Sequence, residues 1–405
     1  MWTRFGRQAV GNLTTVTNSV RDFTTLLLGY YFAERVATDL GPGSELATFL
    51  KWEQLASYAR AYFNDDYAFR GTERVRRTLS AGTRVTLSDS RNCQILSDQK
   101  TYGLWGLYSV ASAAAGLVEQ DPARLTPACL EFVERVYLPV FREAGIPNAD
   151  RVVELLSRAE TRIELAKAER VICATVARIL KRRILDNERD FYLFHLVQGG
   201  PSDSTQGRQA LLAKIMDAYL QEQKVVWTPA LLRAFAKEAR AVGVDGEPLA
   251  YRLERIRACE SVLAPAARLF SYLQGFDGKT IDLVAKRVQD EWGSRVRTLN
   301  VPEIRELHAE LARICEDIAD VLIKFAESLV EGEYVNAISL LIEQNEATMQ
   351  TRGGAAWIVN RQGRLHVRVR DEQGTIPLRE ELATLWRFPY FLDSLLAITT
   401  ELRAK

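Results

Sequence analysis

Apolar residues recur at helical spacing along most of the chain, with polar residues between them. This pattern predicts a helix over residues 19–39 that ends at the turn Gly41-Pro42-Gly43. Thr126-Pro127 and Thr228-Pro229 predict two further helix starts, because threonine supplies a capping oxygen and proline fits the first helical position. We therefore predict a mainly α fold, built as a multi-helix bundle with a small C-terminal β-hairpin.

The sharpest periodicity follows Asn300-Val301-Pro302, where apolar residues alternate steps of three and four. Such spacing forms the a/d seam of a long heptad-patterned helix. We predict one helix whose seam packs inside its own domain. The alternative is a homo-oligomer held together by the same seam, chiefly through its first five residues. The seam residues are Ile304, Leu307, Leu311, Ile314, Ile318, Val321 and Phe325.

The pattern changes in the C-terminal region. Residues 356–359 are an apolar run and residues 364–370 alternate polar and apolar positions, and both read as strands around the turn sequence Asn360-Arg361-Gln362-Gly363. Glycine suits the left-handed backbone of such a turn, so we predict a β-hairpin. A final helix is expected over residues 378–402, with an interruption near Pro389.

The best predicted linker is the Gly-, Ser- and Asp-rich stretch 199–205. A chain of 405 residues is long for one hydrophobic core. We predict three domains: a helical domain over 1–198, a second helical domain over 206–350 that contains the long heptad helix, and a C-terminal hairpin and helix over 351–405.

Composition and charge exclude several classes of protein. The chain is 47% hydrophobic and 26% charged, and its net charge of +1 creates no overall field that would attract nucleic acid. The five cysteines are scattered and never form a CxxC pair, which argues against a disulfide framework and a cysteine zinc site. The uncharged stretch 101–118 contains too many glycine and polar residues for a membrane span, so we expect a buried helix there. We expect a cytoplasmic protein with no membrane segment, cofactor or metal.

Familiar catalytic motifs are missing. The three histidines, His195, His308 and His366, are far apart and form no HxH or HxxxH pair. The glycine-rich stretch 199–205 lacks the lysine of a phosphate-binding P-loop, and no GxSxG or kinase pattern occurs. These observations argue against a histidine metal site and against nucleotide hydrolysis.

One short pattern nevertheless suggests chemistry. Arg189 and His195 are separated by five residues, with the polar Asp190 directly after the arginine. This Rx5H arrangement resembles the active motif of HEPN ribonucleases. The resemblance implies metal-independent RNA cleavage, in which Arg189 would hold the phosphate, His195 would act in 2′-OH transfer and Asp190 would fill the polar position. The alternative is that Arg189 is a surface charge and His195 is a half-buried residue of a helix.

Two basic clusters are candidates for nucleic-acid binding. The first contains Arg70, Arg74, Arg76 and Arg77. In the second, Arg364, His366, Arg368 and Arg370 alternate with Leu365, Val367 and Val369, so one strand face would be basic and the other apolar. Such a face can follow a phosphate backbone. The alternative is an ordinary solvated surface.

The N-terminal third carries a second resemblance. Residues Leu13 to Phe23, Tyr30-Tyr31-Phe32-Ala33, Phe69-Arg70-Gly71 and Tyr102 to Tyr108 resemble segments of uncharacterised, mostly helical bacterial proteins of antiphage defence islands. The resemblance implies a genomic setting and assigns no catalytic residues. We therefore expect a non-catalytic helical subunit of a bacterial antiphage-defence or nucleic-acid-processing complex, which binds other protein subunits and, as a further expectation, nucleic acid. The alternatives are a HEPN-like ribonuclease and a structural oligomerisation protein.

Overall fold

The computed structural model describes residues 1–121, 123–221, 224–313, 316–371 and 374–404. It is 63% helical, and its sheets have two strands each. The predicted mainly α fold with a small C-terminal hairpin is therefore confirmed.

The α-helices follow one another along the chain, joined by short loops and a few single helical turns. In order they are α1 (Trp2–Ala9), α2 (Val20–Leu40), α3 (Glu45–Asn64), α4 (Thr72–Ala81), α5 (Gln99–Tyr102), α6 (Leu104–Ala114), α7 (Pro127–Val136), α8 (Leu138–Glu143), α9 (Asp150–Ser157), α10 (Arg170–Ile179), α11 (Asp186–Tyr192), α12 (Arg208–Leu220), α13 (Pro229–Ala241), α14 (Glu247–Leu273), α15 (Ile281–Trp292), α16 (Val301–Arg305), α17 (His308–Ala312), α18 (Glu316–Glu331), α19 (Tyr334–Thr351) and α20 (Leu392–Arg403). A π-helix, Leu193–Val197, continues α11, and 3-10 turns lie at Pro147–Ala149, Val244–Gly246 and Arg379–Ala383.

All strand pairs are antiparallel. The strands are β1 (Arg84–Ser88), β2 (Val118–Gln120), β3 (Ala123–Leu125), β4 (Glu160–Glu164), β5 (Ile358–Arg361) and β6 (Arg364–Val367), paired as β1 with β4, β2 with β3 and β5 with β6. In β4 the side chains alternate between the two faces: Thr161 and Ile163 are buried in the core, whereas Glu160 and Arg162 are exposed.

The chain forms two compact units, each made of two separate stretches of sequence. Unit 1 combines residues 1–9 with 218–390, and unit 2 combines residues 10–217 with 391–405. The predicted domains follow the chain in three contiguous stretches, whereas each unit joins stretches that are far apart in sequence. Thus α1 belongs with the helices after residue 218, and α20 belongs with the N-terminal half.

The core of unit 2 is built around α2 and α3. The Ser19 hydroxyl caps α2 by accepting a hydrogen bond from the Arg21 N–H at 3.1 Å, and the helix ends at Gly41, whose φ of 92° suits glycine. Gly29 allows the two helices to approach closely, since a Cβ there would lie 2.5 Å from the Phe49 ring. Other helices and both N-terminal sheets cover this pair.

The core of unit 1 is built around α14, which packs against α1, α13 and α19. Phe5 of α1 is only 2% exposed, and the Trp2 ring stacks on Phe388 with 5.8 Å between centroids. The Trp292 indole donates to the carbonyl of Pro377 at 2.9 Å. The N-terminal helix is therefore an integral part of this core.

The prediction of one long heptad helix is wrong. The chain divides the seam among α16, α17 and α18, and a turn at Glu306 and Leu307 separates the first two. There the Leu307 N–H bonds to the carbonyl of Ile304, three residues back, which tightens the backbone and ends the α-helix. The spacing of apolar residues determines which face of the segment is buried, but it does not require the segment to be one unbroken helix.

The seam residues nevertheless face inward within unit 1. Ile304, Leu307, Leu311 and Phe325 are each 2% exposed or less, whereas Ile318 is half-buried. Ile314 lies outside the described residues. Four seam positions are thus covered by the chain itself.

The prediction of one buried helix over the uncharged stretch 101–118 is wrong. Helix α6 ends at Ala114, and strand β2 begins at Val118. Across the described ranges, we find no helix with the length and apolar character needed to cross a bilayer.

Candidate functional site

The structure gives Arg189, Asp190 and His195 separate environments within unit 2. Arg189 on α11 donates to the carbonyl of Ala404 at 3.0 Å, and Asp190 is exposed. His195 lies in the π-helix and is only 4% exposed, with Nδ1 2.7 Å from the carbonyl oxygen of Ala115. Burial lowers the pKa of His195, which favours a neutral ring donating to that carbonyl.

A buried polar cluster holds the π-helix in place. The Asn12 side chain donates to the carbonyl of His195 at 2.6 Å, and the Gln209 side chain donates both to Asn12 and to the carbonyl of Leu196 at 2.7 Å. These bonds satisfy backbone groups where the helix changes its pitch. The observed contacts of His195 are therefore those of a structural residue.

The first basic cluster is partly committed to internal contacts. Arg70 Nε donates to the carbonyl of Tyr102 at 2.7 Å, and Arg74 donates to the carbonyls of Gln94 and Leu96. The Arg76 guanidinium lies 4.3 Å from the centroid of the Tyr67 ring. Arg77 is exposed and lines a surface groove beside Arg84. The cluster thus offers Arg76 and Arg77 to solvent, not four equivalent cations.

The second basic cluster is shorter than predicted, because β6 ends at Val367. Arg368 and Arg370 lie beyond the strand, and Val369 is 42% exposed, so the alternation does not extend to residue 370. Arg364 donates to the carbonyl of Gly278 at 3.1 Å. The strand therefore carries only Arg364 and His366 on its outer face.

The Asp277 carboxylate explains where the strand stops. It accepts hydrogen bonds from the Val367 N–H at 3.0 Å and from the Arg370 guanidinium at 2.7 Å. These bonds hold the pKa of Asp277 below its usual value. The side chain thus satisfies the Val367 N–H at the end of the strand and neutralises one of the predicted phosphate-binding arginines.

Three of the segments that carry the defence-island resemblance meet at one small cavity in unit 2. Its lining includes Asp22, Arg70 and Leu104, together with Glu53 and Arg60. Because these segments are separated in sequence, only the fold shows that they share a polar interior.

The carboxylates of this cavity are bonded internally. Glu53 accepts hydrogen bonds from the Leu104 N–H and the Gln99 amide, both at 2.8 Å, and burial raises its pKa to about 7. Asp22 accepts a hydrogen bond from the Tyr108 hydroxyl at 2.7 Å, and burial raises its pKa as well. We therefore interpret the cavity as part of the packing of α2, α3 and α6.

Sequence analysis missed a groove in unit 1, which we call the tryptophan groove. It has a volume of about 490 Å³, within the range of ligand-binding clefts. Two segments outside helices and sheets, 224–228 and 374–378, run along it, and α14 contributes Arg268. The lining residues are Val226, Trp227, Thr228, Arg268, Thr375, Ile376, Pro377, Glu381, Thr384, Leu385 and Trp386.

Local bonds fix both segments. The Thr228 hydroxyl caps α13 by accepting from the Leu231 N–H at 3.1 Å, which places Trp227 at the helix entrance. The Glu381 carboxylate accepts from the Leu378 N–H at 2.7 Å, and Trp292 anchors the Pro377 carbonyl. The walls of the groove are therefore positioned by helix caps and an indole bond.

The apolar part of the groove is a pair of indoles. The rings of Trp227 and Trp386 lie 6.2 Å apart between centroids and are tilted by 30°, and Trp386 also contacts Tyr390 at 5.6 Å. Beside them, Val226 is 65% exposed. Trp386 Nε1 is buried and has no acceptor among the described residues, and a buried unpaired donor costs about 1–3 kcal/mol.

The polar part of the groove contains one cation and several unpaired backbone groups. Arg268 is exposed and has no ion-pair partner within the described ranges. The backbone N–H groups of Val226, Thr375 and Ile376 likewise donate to no residue that the structure describes. The groove thus presents N–H donors, a positive charge and aromatic surface side by side.

Three of the cysteines are enclosed, whereas Cys93 is half-buried. Cys129, Cys173 and Cys259 are buried, and burial raises their pKa values to about 11, 12 and 12. Among the described residues, no three His, Cys, Asp or Glu side chains are grouped as metal ligands would be. Comparison of the chain with models of protein families, with curated proteins and with solved structures gives no match.

Proposed function

We propose that the protein is a non-catalytic helical subunit that binds a partner protein by holding an irregular segment of that partner in the tryptophan groove. The observation that carries the proposal is that Val226, Thr375 and Ile376 line the groove together with the two indoles, and that their backbone N–H groups donate to no residue that the structure describes. Peptide-binding grooves combine such main-chain donors, which supply affinity, with side-chain pockets, which supply specificity. Exposed Val226 adds apolar surface at the edge.

The setting we propose is a bacterial antiphage-defence or nucleic-acid-processing complex. The resemblance of Leu13 to Phe23 and of Phe69-Arg70-Gly71 to defence-island proteins supports this setting. Exposed Arg76 and Arg77 are the residues we propose for any contact with nucleic acid in such a complex.

Site-specific photo-crosslinking in the organism that encodes the protein tests the proposal. A photoreactive amino acid is placed at Val226, in the groove, and at Val244, which is 87% exposed and belongs to the same unit outside the groove. We expect a discrete crosslinked partner at position 226 and none of it at 244. The product at 226 should disappear when Trp386→Ala is added and persist with Trp357→Ala, a 40% exposed tryptophan that does not line the groove.

Two outcomes would overturn the proposal. One is the same set of products at both positions, which would indicate random collision. The other is a product at 226 whose yield does not depend on Trp386. Circular dichroism of each variant confirms that the fold is retained.

A further inference from the structure

We infer that the segment bound by the tryptophan groove contains proline with an acidic residue close to it. The inference rests on the proposed function and adds the chemistry of the segment. Three features of the groove support it: the spacing of the two indoles, the kind of hydrogen-bonding groups it presents, and its charge.

The spacing excludes a ring inserted between the indoles. A flat ring sandwiched between two others needs about 7–8 Å, since non-bonded carbon atoms approach to about 3.5–4.0 Å on each side. The centroids of Trp227 and Trp386 are only 6.2 Å apart. A ligand ring therefore has to lie across the edges and faces of the indoles from outside, as a pyrrolidine ring does on aromatic grooves.

The hydrogen-bonding groups of the groove favour a ligand that offers mostly hydrogen-bond acceptors. The groove presents unpaired N–H groups from Val226, Thr375 and Ile376 and the buried Trp386 indole. Proline has a carbonyl acceptor but no N–H, so proline-rich chain supplies acceptors without bringing donors that must themselves be satisfied. Its preformed extended helix also loses little conformational entropy on binding.

The charge favours an acidic residue. Arg268 is the only cation among the described lining residues, and it is exposed with no ion-pair partner. Glu381 also lines the groove, but among the described residues it forms no ion pair with Arg268 and accepts instead from the Leu378 N–H. One cation beside one carboxylate is a poor match for the repeated phosphates of nucleic acid, which needs several positive contacts.

Fluorescence anisotropy with labelled synthetic probes tests the inference on the full chain. The probes are a twelve-residue Pro-Pro-Glu repeat, the matched Pro-Pro-Lys and Ala-Ala-Glu repeats, and a twelve-nucleotide uridine RNA. We expect the Pro-Pro-Glu peptide to bind most tightly. Replacing Glu by Lys should weaken binding by up to about fivefold, the upper value for one exposed ion pair. Replacing Pro by Ala should weaken it further.

Charge reversal provides the specific readout. Arg268→Glu should invert the preference, so that the Pro-Pro-Lys peptide binds more tightly than Pro-Pro-Glu. Trp386→Phe, which keeps a ring but removes the indole donor, should weaken all proline peptides, whereas Trp357→Phe should not. A general loss of folding cannot mimic an inverted preference.

The outcomes separate this inference from the proposed function. Equal binding of the three peptides, no binding of any peptide, or no effect of Arg268→Glu overturns the inference. If photo-crosslinking at Val226 still gives a Trp386-dependent partner, the proposed function survives that failure. Binding of the RNA in preference to every peptide overturns both.

Discussion

At the scale of single residues, the interior of unit 2 contains a buried ion pair between Arg21 and Glu188. Arg21 and Glu188 are each 1% exposed, with Nη1–Oε1 and Nη2–Oε2 distances of 2.5 and 3.0 Å. Arg21 also donates to the carbonyls of Lys181 and Arg183. Removing one member of such a pair leaves the other charge buried without compensation.

We predict that Glu188→Gln lowers the free energy of unfolding by about 3–5 kcal/mol, because the buried Arg21 charge loses its partner. The matched control is Glu131→Gln on the surface, where Glu131 and Arg135 are 75% and 67% exposed and the expected loss is about 0–1 kcal/mol. Urea unfolding followed by circular dichroism measures both. Similar losses for the two variants would contradict the prediction.

A second residue-scale prediction concerns Glu53, whose pKa burial raises from 4.5 to about 7. Between these values the folded protein retains a proton that the unfolded chain has lost, so this residue's contribution to stability falls as pH rises. Each pH unit corresponds to about 1.4 kcal/mol, which gives at most about 3.5 kcal/mol over the window of about 2.5 units. Above pH 7 the contribution no longer changes.

Comparison of the wild type with Glu53→Gln isolates this effect. The variant cannot ionise at this position, so its advantage over the wild type should grow between pH 5 and pH 7 and then remain constant. Urea unfolding at half-unit pH intervals provides the measurement. Parallel stability curves for the two proteins would show that Glu53 titrates normally.

Residue-scale features were predictable from the sequence where they are local. Ser19 and Thr228 cap the helices that directly follow them, as expected from their positions. Thr126 also precedes a helix, but its hydroxyl donates to the carbonyl of Gly116 instead of capping. A bond that joins residues ten positions apart depends on tertiary structure, and so does the bond between Glu53 and Gln99.

At the scale of elements, apolar periodicity identified buried faces better than boundaries. Four of the seam residues are buried as predicted for internal packing, although the helix is broken; they are Ile304, Leu307, Leu311 and Phe325. Leu365 and Val367 turn inward on β6 as predicted, but Val369 does not, since Asp277 ends the strand. The tryptophan groove was not predictable, because Trp227 and Trp386 come together only through the packing of unit 1.

We predict that Leu311→Ala destabilises unit 1 by about 2–5 kcal/mol, because Leu311 is only 1% exposed. Ile318→Ala, at a half-buried seam position, should cost less. Urea unfolding measures stability, and sedimentation velocity of the same samples measures mass. If the seam joined copies of the chain, Leu311→Ala would instead reduce the sedimenting mass while each copy stayed folded.

At the scale of the whole molecule, each unit draws on two distant stretches of chain. Phe5 on α1 is 2% exposed within unit 1, and Phe141 on α8 is fully buried within unit 2. The N-terminal helix should therefore affect the stability of residues 218–390 and not that of the residues that follow it in sequence.

We predict that Phe5→Ala increases hydrogen exchange within 218–390, with little change within 10–217, because truncating a buried phenylalanine costs about 3–5 kcal/mol in its own core. Phe141→Ala should instead increase hydrogen exchange within 10–217, with little change within 218–390. Mass spectrometry of peptic fragments provides the measurement. Loss of protection across both units in either variant would show that they unfold together.

The division of each unit between separate stretches also affects how the protein emerges from the ribosome. Helix α1 is synthesised early, but more than 200 residues must follow before the stretch that it packs against begins to appear. At a translation rate of about 5–20 residues per second, the apolar face of α1 lacks its packing partner for roughly 10–40 s. Unit 2 likewise lacks α20 until the long stretch of unit 1 has been made. Neither core can be completed from one contiguous stretch of the nascent chain, so we expect chaperones that shield short apolar helices to assist its folding.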